Sequence, residues 1–140
     1  MQGHEIFRPF FVMMALTLVV WTAMYVRRIA YLKANRIHAQ RLATPDKVVD
    51  VIPEKVQYPA YNFRNLLELP ILFYALCLYL YVTASVDSFF LAAAWTYVGL
   101  RAIHSAIQCT TNIVMRRFVA YMASSLVLWM MILRAALGAF

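Results

Sequence analysis

The sequence predicts an all-α integral membrane protein, a bundle of four transmembrane helices, and three observations predict it. The chain is 64% hydrophobic and only 14% charged over 140 residues, against about 25% charged in a soluble domain. Uncharged runs cover residues 9–26, 69–86, 88–100 (resuming past Arg101 to 115) and 118–133, and a spanning helix needs roughly 20 apolar residues. None of these runs alternates polar with apolar residues, and they are far too long for tilted strands, which excludes a membrane β-barrel. Spans are expected at about 7–33, 63–84, 87–110 and 117–138, with a cytoplasmic loop at about 34–62, in one domain of residues 1–140.

The first run is too long for a signal-peptide core, and its basic residues follow rather than precede it, so it reads as a retained span. Arg27, Arg28, Lys33, Arg36 and Arg41 then recur without a proline, which suggests a helical extension to about Ala43. Thr44-Pro45-Asp46 breaks it. The remainder of the loop, with Pro53 and Pro59, is too short for a core of its own and should cover the cytoplasmic mouth of the bundle or stay mobile. The second and third spans meet at a tight turn around Asp87, so they form an antiparallel hairpin. Ala92, Ala93, Ala94, Gly99, Ser105 and Ala106 on the third span permit close helix approach in lipid, which marks it as the helix packed on several sides.

The net charge is +7, and its placement sets the topology. Eight cations, from Arg27 to Arg64, lie between the first two uncharged runs, and Arg116 and Arg117 lie between the third and fourth spans. Positive residues favour the cytoplasmic side, which puts both termini on the non-cytoplasmic face. The basicity therefore serves topology and attraction to anionic lipid, and nucleic-acid binding is not expected. Cys77 and Cys109 lie within spans without CxxC spacing, so they read as packing residues, and no metal site is expected. Short tails without a targeting signal suit a bacterial inner membrane.

Polar side chains inside the spans carry the functional signal. A carboxylate such as Glu68 costs about 2.5–3.5 kcal/mol at mid-helix in lipid and is tolerated only against protein or a polar ligand. Asn65 and Glu68 are three apart, so on a continuous helix they share a face, with Arg64 nearby. Arg101, His104 and Gln108 form a second stripe on the third span. Glu68 and Arg101 occupy the same half of the membrane, and pairing them would offset the burial cost of each. The bland reading is a structural ion pair. The sharper one is a polar pocket open to the cytoplasm that takes a charged ligand, roofed by Arg116 and Arg117 with Tyr121 one turn further on.

The stretch from Asn62 to Leu76, with Asn65-Leu66-Leu67-Glu68-Leu69-Pro70 at its centre, resembles the second-helix signature of the MAPEG family, the membrane-associated proteins of eicosanoid and glutathione metabolism. Arg101-Ala102-Ile103-His104-Ser105 is similar to its third-helix signature, and Arg117 falls at the spacing of the arginine in microsomal glutathione transferases. The likeness covers roughly residues 60 to 135. It implies a homotrimer of four-helix subunits binding glutathione between neighbours near the cytoplasmic face. By that resemblance Asn65 and Glu68 hold the glutathione backbone, and Arg64, Arg101, His104 and Tyr121 complete the binding set. Arg117, or Arg116 if the turn is shifted by one, sits beside the thiol.

Two departures shape the functional expectation. Leukotriene-forming members carry an arginine seven residues before the glutamate, where this chain has Tyr61, and tyrosines where it has His104 and Gln108. The expected function is a glutathione-dependent transferase or peroxidase acting on lipophilic electrophiles at the membrane. The alternative is a non-catalytic, lipid-binding or scaffold subunit of a larger membrane assembly. A channel or transporter is disfavoured, since no span is interrupted by glycine and proline together and no ring of like charges marks a pore.

Overall fold

The structure, a computed structural model, describes residues 3–139, and every regular element among them is helical. A short 3-10 turn, Gly3–Ile6, leads into α1, Phe7–Ala34. A second such turn, Ala39–Leu42, and α2, Pro45–Val51, precede α3, Glu54–Leu66, and α4, Leu69–Val82. Helices α5, Ser88–Cys109, and α6, Val114–Ala139, complete the order. Among the described residues three stretches are long and apolar enough to cross a membrane: Gly3–Ala34, Glu54–Val82 and Val114–Ala139.

Helix α5 is not among the three, although its 22 residues extend about 33 Å at 1.5 Å per residue. Arg101, His104 and Gln108 dilute its apolar character, and the fold answers by burying it. Ala93, Ala94, Tyr97, Val98, Arg101, His104, Ser105 and Gln108 are all buried at spacings of one, three and four. This face packs chiefly on α6, and also on α1 and α3. Its small residues let the neighbouring backbones close in. Phe73, Cys77 and Leu80 of α4 and Leu128 and Met131 of α6 share one apolar core with it. By contrast α1 buries only a thin stripe, Pro9, Met13, Val20 and Met24. The rest of its surface, including Phe11, Leu18, Val19 and Trp21, is exposed and apolar, as a lipid-facing helix requires.

Helix α1 stops at Ala34 and does not run on to Ala43. The N–H of Ile37 donates to the Leu32 carbonyl at 2.9 Å and that of Arg36 to Lys33 at 3.2 Å. Arg36 takes a left-handed φ of 52°. These are the paired bonds of a Schellman ending, with Leu32 and Ile37 at its apolar-contact positions. Arginine rather than glycine occupies the left-handed position, so the stop leaves no usual mark in the sequence. The loop is also more ordered than expected. Buried Gln57 donates to the Ile52 carbonyl at 3.0 Å and the Val48 carbonyl at 3.4 Å, which ties α2 to α3. Helix α3 begins at Glu54, well before residue 63, and packs along α1 with Pro59 inside it.

The second span is broken. Leu67 and Glu68 interrupt it, Glu68 having φ −96° and ψ −102°. Pro70 causes this locally: it lacks the N–H that would bond Leu66, and its ring crowds that carbonyl. A new helix restarts at once, because proline is tolerated in the first turn. The break changes the phase between Asn65 and Glu68, so the shared face expected of a continuous helix does not exist.

At the opposite end of the bundle Asp87 caps α5, its Oδ1 accepting from Phe90 N–H at 2.8 Å. Arg134 near the end of α6 donates to both carboxylate oxygens, at 2.6 and 3.2 Å. Its guanidinium carbon lies 4.3 and 4.8 Å from the ring centroids of Phe89 and Phe90. The capping amide and this arginine hold the Asp87 carboxyl below its usual value.

Candidate functional site

The polar residues of α3, α5 and α6 meet at the end of the bundle that carries the basic turns. Asn65 stands in the last turn of α3 and its Nδ2 lies 2.9 Å from Gln108 Oε1. The same Gln108 oxygen is 2.8 Å from His104 Nε2, and His104 Nδ1 is 2.9 Å from the Arg117 carbonyl. A carbonyl only accepts, so Nδ1 of His104 carries a proton and donates to it. With Nε2 of His104 unprotonated, the Gln108 amide places its nitrogen there and the Asn65 amide turns its oxygen to that nitrogen, since amide oxygen and nitrogen are interchangeable by a flip. A continuous chain of hydrogen bonds thus joins α3 to the first turn of α6.

Arg117 is half-buried, and its Nη1 donates to Asn112 Oδ1 at 2.7 Å. Asn112 takes φ 49° in the turn, a left-handed geometry that asparagine tolerates. Cations at a helix N-terminus oppose the macrodipole, at a cost of about 0.3–1 kcal/mol each. Arg116 and Arg117 are therefore not there to stabilise α6. Arg116 is exposed and lies along the outer groove between α5 and α6, away from the network.

Arg101 is the extreme case. It is 0% exposed, and its Nε donates to the Tyr97 hydroxyl at 3.3 Å. Its guanidinium carbon is 5.0 Å from the Tyr121 ring and 5.7 Å from the Tyr97 ring. Tyr97 in turn stacks on Phe73 at 4.7 Å, and Tyr121 lies 5.7 Å from His104. Both terminal nitrogens of Arg101 lack a protein hydrogen-bond partner. A desolvated cation–π contact is worth about 2 kcal/mol, whereas the penalty for a buried ion is several kcal/mol. The tyrosines alone do not balance that charge.

Glu68 does not supply the missing anion. It is exposed at the helix break, and the recorded ion pair among the described residues is Asp87–Arg134. The expected Glu68–Arg101 pair is thus not formed, because Pro70 turns Glu68 to the outside of the protomer while Asn65 stays inside. Arg64 is likewise exposed. It lines a cleft of about 470 Å³ with Arg28, Asp46, Gln57 and Tyr61. So the structure brings Asn65, Arg101, His104, Arg117 and Tyr121 together, and sets Glu68, Arg64 and Arg116 on outer surfaces.

Two contributors, Asn112 and Asn62, escape a sequence reading, and so does the central place of Gln108 within the polar stripe. Gln108 is the hub of the network, and Asn112 holds Arg117 from an ordinary-looking turn. Asn62 is fully buried, accepting from Ser105 Oγ at 3.3 Å and placing Nδ2 3.5 Å from Cys109 Sγ. Arg27 adds a bond from Nη1 to the Cys109 carbonyl at 2.7 Å, closing the C-terminus of α5. Only its polar character beside an apolar run could have signalled Asn62.

No curated protein and no solved structure gives a significant match to the chain. A family model does, over residues 7–137, which extends the likeness from the Asn65 and Arg101 segments to the first helix and the loop as well. The match spans nearly the whole chain, and this integral membrane protein belongs to the MAPEG family.

Proposed function

We propose that the chain is a glutathione-dependent transferase or peroxidase acting on lipophilic electrophiles, built as a trimer of four-span subunits. The observation that carries this reading is Arg101, a fully buried guanidinium with two unpartnered nitrogens beside the network that fixes Arg117. That cluster suits an anionic, hydrogen-bonding ligand, and glutathione is the ligand the family offers. Asn65 and Arg101 would hold its polar groups, with His104 and Tyr121 shaping the wall.

Arg117 is the thiol partner in this reading, because it faces the network and Arg116 does not. A free thiol with pKa about 8.5 is mostly protonated at neutral pH, and a nearby guanidinium favours the thiolate. The thiolate sulfur then attacks the electrophile, forming the carbon–sulfur bond as the leaving group departs with its electron pair; a hydroperoxide substrate would instead be reduced as glutathione is oxidised. Lipophilic substrate arrives from the bilayer.

The trimer is supported by the break in the second span. Irregular backbone at membrane depth is tolerated against protein or water, not lipid, yet Leu67 and Glu68 are exposed in the single protomer. A neighbouring copy would cover them and bring Glu68 and Arg64 to the glutathione from the outer side. The non-catalytic reading draws on Tyr61, which stands in the Arg64 cleft where leukotriene-forming relatives carry an arginine. One experiment separates the two: purified protein should conjugate glutathione to a generic aryl halide and melt at a higher temperature with glutathione. Absence of both turnover and thermal shift overturns the catalytic reading.

A further inference from the structure

The chain from Ser88 onward contains arginines at 101, 116, 117 and 134 and not one aspartate or glutamate. Three of the four are engaged away from the outer surface of α5 and α6. Arg134 pairs with Asp87 from the preceding turn, Arg117 donates to Asn112, and Arg101 lies beneath Tyr121. Arg116 is left, exposed and with no recorded hydrogen bond or ion pair among the described residues. It stands at the end of an outward-facing groove of about 430 Å³ between α5 and α6.

The lining of that groove is otherwise apolar: Leu100, Ile103 and Ile107 from α5, and Val119 and Ala123 from α6. From Leu100 to Ile107 it runs about 10 Å along the helix at 1.5 Å per residue. Ala120 and Ala123 on α6 leave its floor open, since neither side chain extends beyond Cβ. The groove is thus a hydrocarbon-sized slot in the outer surface, closed by one unpaired cation at the level where the basic turns meet the membrane surface. Phosphate carries the complementary charge, and an acyl chain the complementary shape.

We propose that this groove is a binding site for an anionic phospholipid, with the headgroup phosphate on Arg116 and one acyl chain along Leu100, Ile103, Ile107, Val119 and Ala123. The site is separate from the Arg101 network and does not depend on glutathione. It gives Arg116 a role that the internal cluster does not. General attraction of anionic lipid to the basic loop is a different effect, since Lys33 and Arg36 lie around another hollow at the end of α1.

Native mass spectrometry of the purified full chain, incubated with phosphatidylglycerol or phosphatidylcholine of matched acyl chains, tests this. The wild type should retain phosphatidylglycerol preferentially, and Arg116→Gln should lower that preference about fivefold, as expected for one arginine at a membrane surface. Ala123→Phe, which fills the slot, should reduce retention of both lipids while leaving the protein folded and in its original assembly state. A paired Lys33→Gln, Arg36→Gln variant should keep the preference. The proposal is overturned if the wild type shows no preference, if Arg116→Gln retains it, or if the Lys33 and Arg36 variant alone abolishes it. It is also overturned if Ala123→Phe changes the oligomeric state and not lipid retention, because the groove would then hold a second copy of the chain.

Discussion

Replacing Arg101 with methionine separates a structural arginine from a ligand-binding one. Methionine keeps most of the volume and flexibility and removes the charge. In the ligand-free protein the change relieves two unpartnered nitrogens, each costing about 1–3 kcal/mol when buried. It forfeits the contacts to Tyr121 and Tyr97, worth together roughly 2–4 kcal/mol at most, and the hydrogen bond to Tyr97. The two sides nearly cancel, with a net gain of about 1 kcal/mol in line with buried charges replaced by apolar residues. Thermal melts in detergent, with and without glutathione, read both halves of the expectation. Arg101→Met should melt at or slightly above the wild-type temperature without ligand, and should lose most of the glutathione-induced rise. A variant that loses about 3 kcal/mol or more without ligand, the penalty range of a broken buried network, and keeps the full glutathione response would refute this account of Arg101.

Other expectations follow from the same geometry. Asp87→Asn keeps an oxygen to cap α5 but removes the pair with Arg134; both side chains are over 40% exposed, so the loss should be at most about 1 kcal/mol at neutral pH. Because the folded carboxyl is held below its ordinary value of 3.8, that stabilisation is complete above the unfolded value and disappears as pH falls through the folded one. Melts of both proteins should therefore converge in strong acid and differ at pH 7. Asn112→Ala frees the Arg117 side chain and should lower kcat about tenfold or more through misplacement, with melting temperature little changed; an unaltered kcat counts against positioning by Asn112. Pro70→Ala restores the missing N–H and should let α3 run into α4, rotating Glu68 and weakening glutathione binding while the protein stays folded; unchanged binding would show that the break has no role in the site.

How much of this could be read from the chain depends on whether the signal was local. Long apolar runs, basic turns and the Arg101-to-Gln108 stripe are properties of single helices, so the helical architecture and the inner wall of the cluster were legible. The phase of Asn65 and Glu68 was not, because an i, i+3 pair shares a face only if the helix between them is unbroken. Pro70 was visible, yet proline both breaks a helix and begins one, and only the fold shows that it does both here. The end of α1 was hidden for a related reason: Arg36 adopts a conformation normally left to glycine. Gln108 and Asn112 act through partners 43 and five residues away, and neither distance carries a sequence mark.

The central claim is that Arg117 stabilises a glutathione thiolate at the Asn65–Gln108–His104 network. Ultraviolet difference absorbance of glutathione on the purified protein at neutral pH measures that thiolate directly. The account predicts a thiolate band with the wild type that is lost in Arg117→Ala and preserved in Arg116→Ala. An absorbance indistinguishable from free glutathione in the wild type, or a band that survives Arg117→Ala, would contradict it.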